Sequence, residues 1–421
     1  MHVLFAAQSW AHPGHDQQSA NQVTYEFARV FREAHGCRVS FVCTYWQDRT
    51  PPSQTEALAR ASLENIGIEV LDPIRLPTRK PVVARLATLI GSRPELFFPE
   101  IEYRPLANQL VERLRPDAVV VVWSEMTTQL FAEADTLRVA YYGNPDPKNW
   151  RINALPPVAP SRGVVRDALT RIRLAHLERH HLREMRRYDL FAEVAANDVE
   201  YYRRNGVSAA FYERMVYIDR HNGRWEGERN ALESEAHPII VANLGSQSAT
   251  GNMLALTYLG QHVLDPLRSA FAGKQYQLHL YGGGRLASNV ARMLDRPEVK
   301  NFGYVEDIDN ALLSAPVFLC LNNATAYKVN QSRYLHVWSL GGCIVAHSDA
   351  RLSLPEMVHN ENALLGNGPE EIALLVARAA TDRGLRRRIG RNGYETFRTL
   401  FNASNVGGDL VKRMREMLRP V

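Results

Sequence analysis

Apolar positions alternate between two rhythms through the first half of the chain. His2 to Ala7 is a short apolar run, and Val23, Phe27, Val30 and Phe31 then recur at helical spacing within Ser19 to Ala34. Gly36 ends that helix, and Arg38 to Thr44 forms a second apolar run. Ile68 to Leu71, Ala118 to Trp123, Arg138 to Tyr142 and Met215 to Ile218 repeat the strand signature, each short and rich in Val, Ile or Tyr. Strands interleaved with helices predict a parallel sheet covered on both faces. From His221 to His237 the sequence turns polar, "HNGRWEGERNALESEAH", and this stretch is predicted to be a linker. A second series follows, with strands at Ile239 to Asn243, Gln277 to Tyr281, Val317 to Leu321 and Cys343 to His347. Helices are predicted at Leu254 to Ala270, Ala287 to Leu294, within "RYLHVWSLGGCIVA" (Arg333 to Ala346), and from Glu370 onward. The expectation is an α/β protein of two consecutive domains, 1–225 and 236–400, with a terminal helix at 401–421 that packs back on the first domain.

Bulk properties narrow the class. At 421 residues the chain exceeds what one core usually serves, in keeping with two domains. Its densest apolar run, Ala118 to Trp123, is far too short to span a bilayer. The chain opens on a strand with no basic-then-apolar leader, and Cys37, Cys43, Cys320 and Cys343 form no CxxC pair. Reduced, packed thiols in a cytoplasmic protein are expected. A net charge of +5 mildly favours an anionic partner.

In the first half, loops at strand ends carry the chemistry. "SWAHPGHDQQSAN" joins a strand to a helix, where an open parallel sheet faces its ligand, and offers His15 and Asp16 as catalytic candidates. The plainer reading is a polar loop that binds nothing, and His12 with His15 lacks a third metal ligand. "YYGNPDPKNW" places Asn144, Asp146 and Lys148 in a turn after another strand. Asp146 is a third catalytic candidate, positioned to orient substrate hydroxyls, with an Asx-turn as the alternative. Residues 162–187 are strongly basic; His176 and His180 stand four apart, but a solvated basic face explains them better than a metal. With Val165, Leu169, Ile172 and Leu182 interleaved, the same segment is a candidate for peripheral contact with a membrane surface.

In the second half, "VANLGSQSATGN" offers Gly245 and Ser246 to a phosphate, and "LHLYGGGRLAS" repeats the logic with Gly283 and Arg285. Two such loops in one sheet, with the quoted helix as a third element, define a ligand edge. Ser332 is the predicted N-cap of that helix and Gly341 its stop. Ser332, His336 and Ser339 fall on one face and Leu335 with Trp338 on another, so the polar face is expected to point away from the core.

From Val299 to about Thr399 the chain resembles the nucleotide-binding half of GT-B glycosyltransferases, in the broad group that includes retaining sugar transferases. The resemblance rests, in order, on "VKNFGYVEDIDNALLSAPVFLCLNN", "QSRYLHVWSLGGCIVAHSDA", "LPEMVHNENALLGNGPEEIALLVARAA" and "DRGLRRRIGRNGYETF". "SLGGCIVAHSDA" looks most like the branch of spore-maturation-type glycosyltransferases. The implied fold is two Rossmann-like domains facing across a crevice, with the N-terminal half holding the acceptor. Many members carry two glutamates eight residues apart that contact donor sugar and ribose; here those positions are Lys328 and His336. The turn containing Val305 matches the family's G-x-V-x-D element. The usual Arg and Lys of the first phosphate loop are absent, and Lys328, Arg333 and Arg285 are the replacements at hand.

The resemblance implies transfer of a sugar from a nucleoside diphosphate donor with retention at the anomeric carbon. No acidic pair of the DxD kind is placed to hold a cation, so neither metal nor further cofactor is expected. Gly245, Ser246, Gly283, Arg285, Val305, Lys328, Ser332, Arg333 and His336 are the expected donor-binding set, with Arg333 meeting the diphosphate. The acceptor is open among glycan, lipid-linked, small-molecule and protein classes, and no specific nucleic-acid binding is expected. Two alternatives share the fold: a sugar-nucleotide epimerase, and a non-catalytic binding protein.

Overall fold

All strand pairing among the described residues is parallel, in two separate sheets. The computed structural model describes residues 1–13, 19–49, 53–77, 95, 97–143, 145–155, 163–232, 238–325, 328 and 332–419. It divides into two compact units, Met1–Val216 with Ala403–Val421, and Tyr217–Asn402.

The first unit is built on an eight-stranded sheet: β1 (His2–Ala7), β2 (Arg38–Trp46), β3 (Glu69–Val70), β4 (Ile74–Leu76), β5 (Ala118–Val122), β6 (Leu137–Tyr142), β7 (Leu190–Glu193) and β8 (Ala210–Tyr212). Their order is β3-β2-β1-β5-β6-β7-β8, with β4 also pairing β2. The central strands are buried along nearly their whole length because helices cover both faces. On one face Phe5 meets Phe27 and Phe31 of the helix Ser19–Glu33, with Tyr141 stacked on Phe27 at 4.4 Å. On the other, Leu4, Val42, Val119 and Val121 join Leu130, Phe131 and Met185 in one core. The helix Ala403–Met417 belongs to this unit: it lies against Ser19–Glu33, and Arg415 donates to the His35 carbonyl at 3.0 Å.

The second unit carries β9 (Ile239–Asn243), β10 (Gln277–Tyr281), β11 (Val299–Gly303), β12 (Val317–Cys320), β13 (Cys343–His347) and β14 (Leu364–Gly366), in the order β11-β10-β9-β12-β13-β14. Counted within the unit this is 3-2-1-4-5-6, the doubly wound order, whose direction reverses between β9 and β12. One face is packed by Leu256, Leu259, Leu267, Ile372 and Val376. Across the other lies the helix Ser332–Ser339, itself covered by Arg383–Leu400, where Gly393 leaves room for the Trp338 ring. The long helix after β9 is interrupted by one π-helical turn, Leu259–Val263.

Three expectations are corrected. The polar stretch 221–237 is not a free linker: Trp225–Leu232 is a helix of the second unit. Trp225 and Arg229 are buried, and Arg229 donates to the carbonyls of Ala315 (2.7 Å) and Leu340 (3.1 Å). The units therefore divide at Val216 rather than near residue 225. Met215–Ile218 pairs with no strand among the described residues; the strand in that region is the shorter Ala210–Tyr212, which pairs with β7.

Candidate functional site

At the C-terminal edge of the second sheet, the loops after β9 and β10 lock together. Gly282, at φ +125°, brings its backbone so close to Gly245 that an added Cβ would stand 2.0 Å from the Gly245 carbonyl oxygen. Gln247 N donates to Gly283 O at 2.8 Å, and Asn243 Nδ2 donates to Gly245 O and Tyr281 O. The hydroxyls of Ser246 and Ser248 lie 3.0 Å apart, both exposed above this junction. Gln247 and Asn301 exchange amide hydrogen bonds of 2.6 and 3.1 Å, tying in β11. The turn after β11 follows with a half-buried Val305, and Asp307 caps the next helix through Asn310 N.

The reversal point between β9 and β12 holds a guanidinium. Arg333, in the first turn of the helix Ser332–Ser339, donates to Asn252 Oδ1 at 2.6 Å and Asn322 Oδ1 at 3.2 Å. Asn252 in turn donates to Ser246 O at 2.7 Å, so the Arg333 network reaches the first glycine–serine loop. Both partners of Arg333 are neutral amides; among the described residues no carboxylate pairs with it. Burial pushes its pKa below the ordinary arginine value, so an incoming anion would stabilise the charged form. Two of its N–H groups are engaged, leaving others for a bidentate contact. Gly245, Ser246, Gly283 and Arg333 thus belong to one connected network, and Arg285 stands exposed beside it, unpaired among the described residues.

Other expected positions are placed differently. Lys328 is ion-paired with Asp349, which lies past the end of β13. Ser332 is the first residue of its helix rather than its cap. The helix does stop at Gly341, φ +61°, where Gly342 N donates to Val337 O at 2.9 Å. Its expected polar stripe is not displayed to solvent. His336 is buried, with Nε2 2.5 Å from Asp309 Oδ1 and its ring 5.7 Å from that of Tyr217. Ser339 donates back to the His336 carbonyl. Asp309 also meets His221 Nε2 at 3.2 Å, and His221 Nδ1 lies 2.5 Å from Glu228. Burial would raise the Asp309 carboxyl, but the hydrogen bond and charge of His336, then His221 and Arg220, hold it well below the usual carboxylate range.

In the first unit, His15, Asp16 and Asn144 lie outside the described residues. Asp146 begins the helix Asp146–Ala154 and is hydrogen-bonded to the Tyr142 hydroxyl, which also lies 2.8 Å from Glu125 Oε2. His181 Nδ1 stands 2.7 Å from the same Glu125 oxygen, and its Nε2 lies 3.0 Å from the Tyr202 hydroxyl. Burial, then the adjacent Glu125, push the Asp146 carboxyl well above its ordinary range. Burial opposes ionisation of Glu125 too, but the charge and hydrogen bond of His181 bring it below its usual value. The two neighbouring carboxyls are thus pushed in opposite directions. Lys148 reaches Asp198 at 2.5 Å. His176 and His180 pack on Phe97, and no cluster of three His, Cys, Asp or Glu suited to a metal occurs among the described residues.

Asn252 and Asn322, which hold Arg333, are the site residues that sequence reasoning missed. Each follows a strand of the reversal point, in "SATGN" and "LNN", and that position was the available signal.

No family model matches the chain, and no curated protein matches it. Solved structures do. Sucrose-phosphate synthase from Thermosynechococcus elongatus is similar over 99% of each chain, with a TM-score of 0.65 and 14% identity. Anabaena HepE, in complex with UDP and glucose, is similar over 98% of this chain and 99% of its own, with a TM-score of 0.59 and 13% identity. A putative UDP-N-acetylglucosamine 2-epimerase from Listeria monocytogenes is similar over 99% and 96%, with a TM-score of 0.53 and 10% identity. At such identities the likeness is one of fold, and the fold is GT-B: two parallel-sheet, Rossmann-like α/β domains.

Proposed function

We propose that the chain is a glycosyltransferase whose second unit binds a nucleoside diphosphate sugar. The observation that carries this reading is Arg333: a half-buried guanidinium at the reversal point of a doubly wound sheet, held by two neutral amides. Such a cation is suited to a diphosphate, with the glycine–serine junction of Gly245, Ser246 and Gly283 supplying further donors. Support also comes from HepE, a structure of this fold in complex with UDP and glucose.

In the proposed reaction the bond between anomeric carbon and diphosphate breaks through an oxocarbenium-like state. Charge then builds on the leaving phosphate oxygens, where Arg333 and the Ser246 and Ser248 hydroxyls would stabilise it. Arg285, unpaired among the described residues, is available to the same anion. The Lys328–Asp349 and His336–Asp309 pairs position the loop and helix that present Arg333.

Incubation with a panel of nucleoside diphosphate sugars, with and without mixed acceptors, tests the proposal. Release of nucleoside diphosphate together with a new glycoside supports transfer. Conversion to an epimeric sugar nucleotide would favour the epimerase reading, for which the Listeria likeness is the reason to look. Binding without any product would favour a non-catalytic protein.

A further inference from the structure

We propose that the N-terminal half of the helix Val164–Met185 is a docking face for an anionic lipid bilayer surface. This helix is long, and its two halves differ. The C-terminal half is set into the first unit: Leu174, His181, Leu182 and Met185 are buried, and the buried Glu184 is ion-paired with Arg104 and, at 3.0 Å, with Arg187. The N-terminal half buries almost nothing. Val164 is 85% exposed, Val165 73%, Leu169 43% and Ile172 47%.

Those exposures form one stripe. At about 100° per residue, Val165, Leu169 and Ile172 fall within roughly 60° of arc, and Val164 adjoins them. Arg166 and Arg173 flank the stripe on one side and Arg171 on the other, and Arg179 lies two turns beyond Ile172 on the same side of the helix. None of these four arginines has an ion-pair or hydrogen-bond partner among the described residues, although Arg151, Arg183 and Arg187 nearby are all paired. A stripe of apolar side chains bordered by unpaired arginines is complementary to an interface that offers acyl chains and phosphates together.

Other occupants fit less well. A second copy docking through the same face would bring the arginines of both helices together, with Asp167 the one carboxylate in that half of each helix to set against them. A nucleic acid would meet the arginines and leave the valines and isoleucine in water. No helix among the described residues is long and apolar enough to cross a membrane, so the contact is peripheral.

Vesicle co-sedimentation tests this, using phosphatidylcholine alone or with a third of the lipid as phosphatidylglycerol. The wild-type chain is expected to partition at least about tenfold more strongly onto the anionic vesicles, and less as salt is raised. Val165→Asp with Ile172→Asp, and separately Arg166→Gln with Arg171→Gln and Arg173→Gln, should each lower that partition about tenfold or more. These side chains are exposed, so melting temperatures should stay unchanged. Equal binding to both vesicle types, or variants that bind as the wild type does, would overturn the proposal. So would a concentration-dependent dimer in sedimentation velocity that Val165→Asp with Ile172→Asp abolishes, since a second copy would then be the occupant.

Discussion

Arg333 Nη2 donates to Asn252 Oδ1 at 2.6 Å across the point where the second sheet reverses direction. The contact joins the helix after β12 to the helix after β9, and Asn252 passes it on to the Ser246 carbonyl. A cation held by amides keeps its charge available, whereas one held by a carboxylate, as Lys328 is by Asp349, is already neutralised.

The junction of the two glycine loops should tolerate no side chain at Gly282. Its φ of +125° is rarely adopted by other residues, and a Cβ would stand 2.0 Å from the Gly245 carbonyl. Gly282→Ala is expected to destabilise the protein by about 2–4 kcal/mol and to weaken nucleoside diphosphate binding together with it. Denaturant unfolding with and without nucleotide measures both. By contrast Gly283, whose Cβ would meet nothing closer than Tyr304 Cβ at 3.9 Å, should accept alanine with little loss of stability.

Asp309 should anchor the start of the second unit. Its carboxylate, held below the usual range, meets His336 and His221 and is mostly buried. A carboxyl with a depressed folded value contributes stability that is complete above its unfolded value of about 4 and is lost as the pH falls below it. Asp309→Asn is therefore expected to cost about 2–4 kcal/mol at neutral pH, with the difference from wild type narrowing toward about pH 3. Thermal melts across that range report it.

Glu213 titrates in the opposite sense. Burial, with Asp409 of the terminal helix beside it and Arg413 partly offsetting, pushes its carboxyl up to about 8. The folded protein then holds a proton that the unfolded chain has released, so stability declines as the pH rises from about 4.5 toward about 8. Glu213→Gln should remove that decline and leave the variant more stable than wild type near pH 8, by roughly 1–3 kcal/mol. Melting curves of the two proteins at about pH 5 and about pH 8 check the sign.

The glycine–serine loops were legible in the sequence because glycine clusters at strand ends have a mechanical reason, and the structure joins them. Gly341 was legible as a helix stop for the same reason. The helix Trp225–Leu232 was hidden because so few of its side chains are buried, Trp225 and Arg229 among them, leaving a polar run with no apolar period. Met215–Ile218 looks like a strand by composition, yet strand formation depends on a neighbour to pair with, and the described residues offer none. Periodicity put His336 on a polar face, but only tertiary packing shows that Asp309 and Tyr217 cover that face. Asn252 and Asn322 read as ordinary amides until the fold brings them to one guanidinium.

Calorimetric titration of a nucleoside diphosphate, and of its parent nucleoside, into wild type and Arg333→Ala tests the central claim most directly. The wild-type chain should bind at least one nucleoside diphosphate, and the variant should bind it about 1.5–3 kcal/mol more weakly, the worth of a charge-assisted contact. Affinity for the nucleoside should barely change, and the variant's melting temperature without ligand should stay close to wild type. Equal losses for diphosphate and nucleoside, or no loss for either, would contradict a diphosphate site at Arg333.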